Sequence, residues 1–442
     1  MCKYRRQAPA SRTASAPILS IFWAGVAIEI ALLGILGLGD LRQAIPSFLA
    51  LYAAAFLAYL WSAREMEGTG SDPTFLILAF ALVFRATLFL SEPSLSDDIY
   101  RYVWDGAILN HGVDPYRYPP QAAELAPFRD TLYPSINHKD IGTPYGPLTL
   151  AAFAFTERIA HSVYAMKVPF ILCDIAIILL LLRMLTAAGL PRGRVLLYAW
   201  NPLVLVEVAG SGHNDPLAIV LMLAALYLLQ HGRAGAGALG LGLALSAKYL
   251  AVLFLPALRS RMSGRAWALG ALVPVMVFLP FLGGLEHHGQ SLMSVGARWR
   301  FNDSLFSLLH AMTGSLPAAK MLAGGAFLAV AIHVWRARLP ATRGAFVLIA
   351  AALLLTSTLQ PWYLLWLVPL LCLYPNRAWI LLTGLVVLSY HVLIGYAADG
   401  VWDESPWIKA AIYLPFYGVL LADGWRGRRA SRAGRQADMT RR

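Results

Sequence analysis

Apolar runs of close to twenty residues, separated by short stretches bearing Arg, Gly and Pro, recur along almost the whole chain. At about 1.5 Å of rise per residue, roughly 20 helical residues cross a hydrocarbon layer of about 30 Å. The runs predict spans over 16–39, 44–61, 74–90, 163–185, 195–209, 215–229, 266–283, 318–335, 345–359, 362–374, 378–397 and 407–422. Two segments fit this pattern poorly. Residues 146–160 are short for a crossing, and 235–258 carries Lys248 in mid-run, which is costly unless it faces a polar cavity. Both read as re-entrant or broken helices. The predicted fold is all-α, a polytopic transmembrane bundle of about 12 to 14 segments, with short interfacial helices in the first large external loop.

The first run follows Lys3, Arg5, Arg6 and Arg12 and is too long and too weakly punctuated for a cleaved signal, so it reads as a retained anchor. Basic residues in 183–194, at Arg233, in 259–265, in 336–343 and in the C-terminal tail mark the cytoplasmic side. That leaves 92–145, 210–214, 284–317, the Gln360 region and 398–406 outside. One membrane domain over 1–425 is expected, with external loops 92–146 and 284–317 and a basic cytoplasmic tail over 426–442. Its place is the cell membrane, as a multi-pass protein.

Composition agrees: 58% of residues are hydrophobic and 14% charged, against about a quarter charged in soluble domains. Mean hydropathy is +0.60. The net charge of +12 gathers in tails and short loops, where it serves orientation and contact with membrane lipids rather than a nucleic acid. Cys2, Cys173 and Cys372 have neither metal spacing nor a disulfide pattern.

The external loops hold the chemistry. The first opens SEPSLSDDIYRYVWDG over 91–106, where Ser96 is placed to cap a helix whose first turn holds Asp97 and Asp98. On that helix Asp98, Arg101, Tyr102 and Asp105 share a face, while Val103 and Trp104 point toward the membrane interface. His111 and Gly112 end it, and an aromatic strap rich in proline follows. The plain alternative is that the two aspartates only serve the helix dipole, with Arg101 as their partner. A loop of more than fifty residues favours function over mere connection.

Elsewhere, His213 and Asp215 stand at a helix mouth in GSGHNDP over 210–216, where capping by Asn214 or Asp215 is an equal reading. Loop 284–317 brings Arg298, Trp299, Arg300 and Asn302, a basic and aromatic set suited to a phosphate and a sugar ring. His287 and His288 alone are weak evidence for metal. The aromatic cluster QPWYLLW over 360–366 reads as interfacial anchoring. Arg85, Asp174 and Lys248, set in apolar runs, should face the bundle interior.

SDDIYRYVWDG over 96–106, DPY over 114–116, YGP over 145–147, WNP over 200–202, GSGHND over 210–215, WRFN over 299–302 and QPWY over 360–363 together resemble the integral-membrane GT-C glycosyltransferases. The likeness is to the bacterial branch similar to polyprenol-phosphomannose-dependent mannosyltransferases. That family carries its essential carboxylate in the first large external loop, which implies Asp98 or Asp97 as the base here. The spans 16–39 and 44–61 stand ahead of 74–90 and this loop, and no soluble C-terminal domain is expected after it, so acceptor identity does not carry over.

The resemblance implies transfer of a sugar, mannose foremost, from a polyprenyl-phosphate donor to a lipid-linked or cell-envelope acceptor on the non-cytoplasmic face. Arg101, Tyr102, Asp105, His213, Lys248, Arg298, Trp299, Arg300 and Asn302 are the candidate substrate-binding residues. No metal site is expected; a divalent cation is compatible with the paired aspartates, but a lipid monophosphate donor needs it less than a nucleotide donor would. The competing class is a transporter or flippase of a lipid-linked sugar, with Asp174, Lys248 and the broken helix forming a substrate path.

Overall fold

The computed structural model describes residues 15–67 and 72–439. Lys3, Arg5, Arg6 and Arg12 lie outside the described residues, and beyond Arg426 only the helical backbone to Met439 is described. Among the described residues the chain is helical, with one isolated parallel bridge between Phe301 and Thr358. Among the described residues six helices are long and apolar enough to cross a membrane, and four shorter apolar helices accompany them. Their outward faces stay apolar: Phe75 is 85% and Trp407 83% exposed, which in a lipid solvent is burial of another kind.

The chain opens with α1 (Ser15–Gly37), α2 (Ile45–Glu67) and α3 (Thr74–Phe89), the first packing on both of the others. Then come α4 (Asp98–Asn110), α5 (Pro147–Ile159) and α6 (Val163–Ala187). Ser162 starts α6 by accepting from Tyr164 N–H, and Asn376 does the same from Trp379 N–H for the Arg377–Leu385 helix. The short segment at 146–160 is α5, packed under α4 and against α6. Residues 235–258 are broken as expected: the Ala234–Ala247 helix stops at Lys248, and a 3-10 turn, Tyr249–Phe254, continues from it.

The run 195–209 differs from a plain span. Asn201, ahead of Pro202, leaves the helix and accepts from Leu203 N–H, and Leu205–Gly210 then winds as a π-helix. The proline lacks an N–H and blocks the α-conformation of its predecessor, so this break is local chemistry.

Two close approaches position the site. A Cβ on Gly106 would come within 2.7 Å of the Phe153 carbonyl, and one on Gly146 within 2.2 Å of that of Ser246. The missing side chains let α4 lie on α5, and the start of α5 abut the end of the Ala234–Ala247 helix.

Intramembrane charge is neutralised in place. Arg85 Nε donates to Asp174 Oδ2 at 2.5 Å, and its Nη1 donates to the Ala81 and Ala199 carbonyls. Tyr198 Oη donates to Asp174 Oδ1 at 2.6 Å. Sequence reasoning passed over Lys167, which is fully buried in α6. Its Nζ donates to the Phe89 and Ser91 carbonyls, closing the C-terminal end of α3.

Candidate active site

Helix α4 is enclosed by the rest of the chain. Its Ile99, Arg101, Tyr102, Val103, Trp104 and Asp105 are all buried within the protein. Val103 and Trp104, expected at the lipid interface, are covered by protein instead: Trp104 joins Ile108, Leu125 and Ile136 beneath the 112–145 strap. Folding the long loop back over α4 buries apolar area on both sides of the helix, which stabilises the arrangement.

The paired aspartates part company at the helix start. Ser96 Oγ accepts from Asp98 N–H at 3.3 Å, while Asp97 occupies the capping position with no side-chain cap bond. Asp97 Oδ1 faces Arg42 at 3.7 Å, toward the 40–43 turn. Burial lifts the Asp97 carboxyl above its ordinary range, with Arg42 opposing and Asp98 and Asp40 adding to the rise. Asp98 turns the other way. Its Oδ1 accepts from Asn137 Nδ2 at 3.0 Å, and its charge reaches Tyr102, Tyr145, His213 and Tyr363. Burial raises the Tyr145 hydroxyl first, and the Asp98 charge raises it further.

Arg101 has partners within the protein. It pairs with Asp105 through Nε at 2.8 Å, and its Nη2 donates to the Ile141 carbonyl at 3.0 Å, so it ties α4 to the end of the strap. Tyr102 stacks on Phe153 at 4.6 Å and meets Tyr145 edge-on at 5.1 Å. Tyr116 Oη donates to the Tyr145 carbonyl, and His288 bridges the Thr143 carbonyl and Tyr249 Oη, so this histidine is a clamp. Among the described residues no group of His, Cys, Asp and Glu could hold a metal ion.

From the opposite side come residues far along the chain. Lys248 Nζ lies 2.6 Å from Asp215 Oδ1, which also accepts from Trp366 Nε1 at 2.7 Å. His213 is buried and stacks on Trp362 at 4.1 Å. The 360–366 cluster thus packs on the core rather than standing out as an interfacial anchor: Trp366 is buried with Asp215 as its partner, and Trp362 and Tyr363 are partly buried. The charges of both Asp215 and Asp98 reach Tyr363, which joins the two halves of the site. Glu207, fully buried beside His213, escaped the sequence reading; a carboxylate in an apolar run needs a partner, and that signal was available.

A cavity of about 540 Å³ opens from this point. Lys248, Tyr249, Tyr363, Lys320, Thr356 and Ser357 are its polar lining, and Leu253, Phe327, Ile349, Ala352 and Leu353 are among its apolar lining. Its walls come from the broken helix, Leu316–Ala337 and Ala341–Leu355.

Loop 284–317 is held from the other end. Arg300 Nε donates to Asp303 Oδ2 at 2.6 Å, and Lys409 caps the same carboxylate. Asn302, at φ +47°, donates its backbone N–H to Glu404 at 2.8 Å and its Nδ2 to the Leu359 carbonyl at 3.3 Å. Trp299 reaches back to the first loop, 4.7 Å from the His138 ring. The Arg298 side chain lies outside the described residues. The structure therefore brings Asp98, Tyr102, His213 and Lys248 together, and gives Arg101, Asp105, Arg300 and Asn302 partners that hold the loops.

Burial pushes Asp303 up, but its bonds from Lys409, Arg300 and Ser307 outweigh this and hold it below the ordinary range. A depressed carboxylate stabilises the fold above its unfolded pKa of about 3.9 and loses that contribution as pH falls through the folded value. In detergent, Asp303→Asn is expected to lose about 1.5–3 kcal/mol at neutral pH, the worth of hydrogen bonds to a charged group. Thermal unfolding should show the gap from wild type closing as the medium is acidified below about pH 4; a gap that holds constant would remove the latch.

Residues 26–264, more than half the chain, match the family model described as alpha-(1->6)-mannopyranosyltransferase, N-terminal domain. The alpha-(1->6)-mannopyranosyltransferase A of Mycobacterium tuberculosis is 26% identical over 399 residues, covering 80% of this chain and 75% of that protein. The protein of the same name from Corynebacterium glutamicum is 28% identical over 175 residues, covering 38% of this chain and 35% of its own length. These relatives are transferases, which weighs against the transporter reading.

Proposed function

The chain belongs to the alpha-(1->6)-mannopyranosyltransferase family, and from that premise we propose that it moves mannose from a polyprenyl-phosphate donor to a hydroxyl of a lipid-linked or cell-envelope glycan on the non-cytoplasmic face of the cell membrane. Membership carries mannosyl transfer and the multi-pass fold; the donor, the base and the side of the membrane are our reading. The observation that supports it is a mainly apolar groove whose lining includes Lys248, paired with Asp215, and Tyr363, which the Asp98 and Asp215 charges reach. Such a groove suits a prenyl chain entering from the bilayer, its phosphate lying near Lys248.

In this mechanism the Asp98 carboxylate takes the proton of the acceptor hydroxyl as its oxygen bonds to the anomeric carbon. The carbon–oxygen bond to phosphate breaks, and the polyprenyl phosphate leaves with the electron pair. Lys248 offsets the developing charge. A single displacement inverts the anomeric centre, so an α-linked product requires a β-linked donor.

Purified protein offered a panel of polyprenyl-phosphate sugars should form a mannosylated product in detergent. Ala352→Trp, which fills the groove wall, is expected to raise KM for a long-chain donor about tenfold, equal to about 1.4 kcal/mol of lost binding, and to leave a short farnesyl donor much less affected. Equal effects on both chain lengths would take the prenyl chain out of this groove.

A further inference from the structure

Glu207 sits on the π-helical turn, where Ser211 N–H reaches the Val206 carbonyl and His213 N–H the Glu207 carbonyl. Turns of this kind re-aim a side chain and gather at functional sites. Tyr390 Oη donates to Glu207 Oε1 at 2.8 Å, and Oε2 lies 3.2 Å from His213 Nδ1. His213 Nδ1 is also 3.1 Å from the Glu207 backbone carbonyl, an atom that only accepts, so Nδ1 carries a proton. Trp362 fixes the plane of the ring. Gly212, at φ +76°, packs against Ile99, where a Cβ would meet the isoleucine at 2.5 Å, so the 211–213 turn is seated on the first turn of α4. The second ring nitrogen, Nε2, is buried and has no hydrogen-bond partner among the described residues.

An oriented, buried imidazole with an open nitrogen is an arrangement built for a ligand, since an unmet buried polar atom is costly. We propose that Glu207 is a positioning residue that keeps His213 as an imidazolium, so that Nε2–H donates to a phosphate oxygen of the departing polyprenyl phosphate. The proposal rests on the transferase reading above and deepens it. No proton leaves the ring: the leaving phosphate receives the electron pair of the broken bond, the acceptor proton goes to Asp98, and the Nε2–H bond shortens as phosphate charge grows. Glu207 from the π turn, Asp98 from α4 and Asp215 from the following helix face the ring; Lys248 is bound to Asp215, and Lys167 from α6 lies beside Gly212. Burial lowers the readiness of His213 to carry charge, and the three carboxylates more than restore it.

The test is the alkaline limb of the kcat profile, where an essential imidazolium loses its proton. Glu207→Gln keeps an acceptor for Tyr390 but removes the charge, so the limb should move to lower pH by about one unit, with kcat at neutral pH falling about tenfold. His213→Ala should lose about 100-fold, the usual worth of one such donor. His213→Gln leaves Glu207 and Tyr390 in place and offers an N–H that does not titrate, so it should retain more activity than His213→Ala and show no limb from this position. That variant decides the matter should Glu207→Gln fail to fold. A limb unmoved in Glu207→Gln, or equal loss in both His213 variants, overturns the dyad alone, whereas wild-type protein that forms no mannosyl product overturns the function itself.

Discussion

Asp98→Asn is expected to reduce mannosyl transfer from a radiolabelled polyprenyl-phosphate donor by about 10²- to 10⁴-fold, the range of a lost general base. Asp97→Asn should stay within about tenfold of wild type, since its carboxylate is turned to Arg42. The two differ by one position on a helix, yet about 100° of rotation points them to different neighbours. Asp98 faces Asn137 and the tyrosines; Asp97 faces the 40–43 turn. Both substitutions are isosteric, so membrane levels should match wild type. An inactive Asp97→Asn beside an active Asp98→Asn would reverse the assignment, and full activity in both would leave the reaction without its base.

Arg85→Met should be the most damaging substitution outside the site. It strands the Asp174 carboxylate and frees the Ala81 and Ala199 carbonyls in a setting without water. Breaking a buried ion pair from one side costs about 3–5 kcal/mol, a large part of the stability of an ordinary fold. The expected result is poor accumulation and a lower thermal midpoint in detergent. Adding Asp174→Asn removes the orphan charge and still leaves an acceptor for Tyr198. The double variant should therefore recover much of the loss, and a double variant worse than Arg85→Met would mean the pair is not coupled in this way.

Some of the site was legible before any coordinates. Asp98 at a helix start, the break at Lys248 and the inward-facing Arg85 and Asp174 all follow from spacing and from the cost of charge in an apolar run. Glu207 and Lys167 could have been found by the same rule. Asn137 could not, because an asparagine in a loop of mixed composition carries no periodic signal. Nor could the interior placing of Trp362 and Trp366, since indoles near a span end satisfy an interface equally well.

What the sequence determined by itself is local: which runs are long enough to cross a bilayer, where proline and glycine interrupt them, and which residue types stand at helix mouths. These follow from periods and propensities that act within a few residues. The tertiary structure decided what depends on distant pairing. It turned Asp98 toward Asn137 and His213 while giving Asp97 to Arg42, buried α4 under its own strap, and gave Arg101, Arg300 and Asn302 partners in the loops. A buried charge takes the partner that packing brings within about 3 Å, and nothing within a short stretch of chain specifies which partner that is.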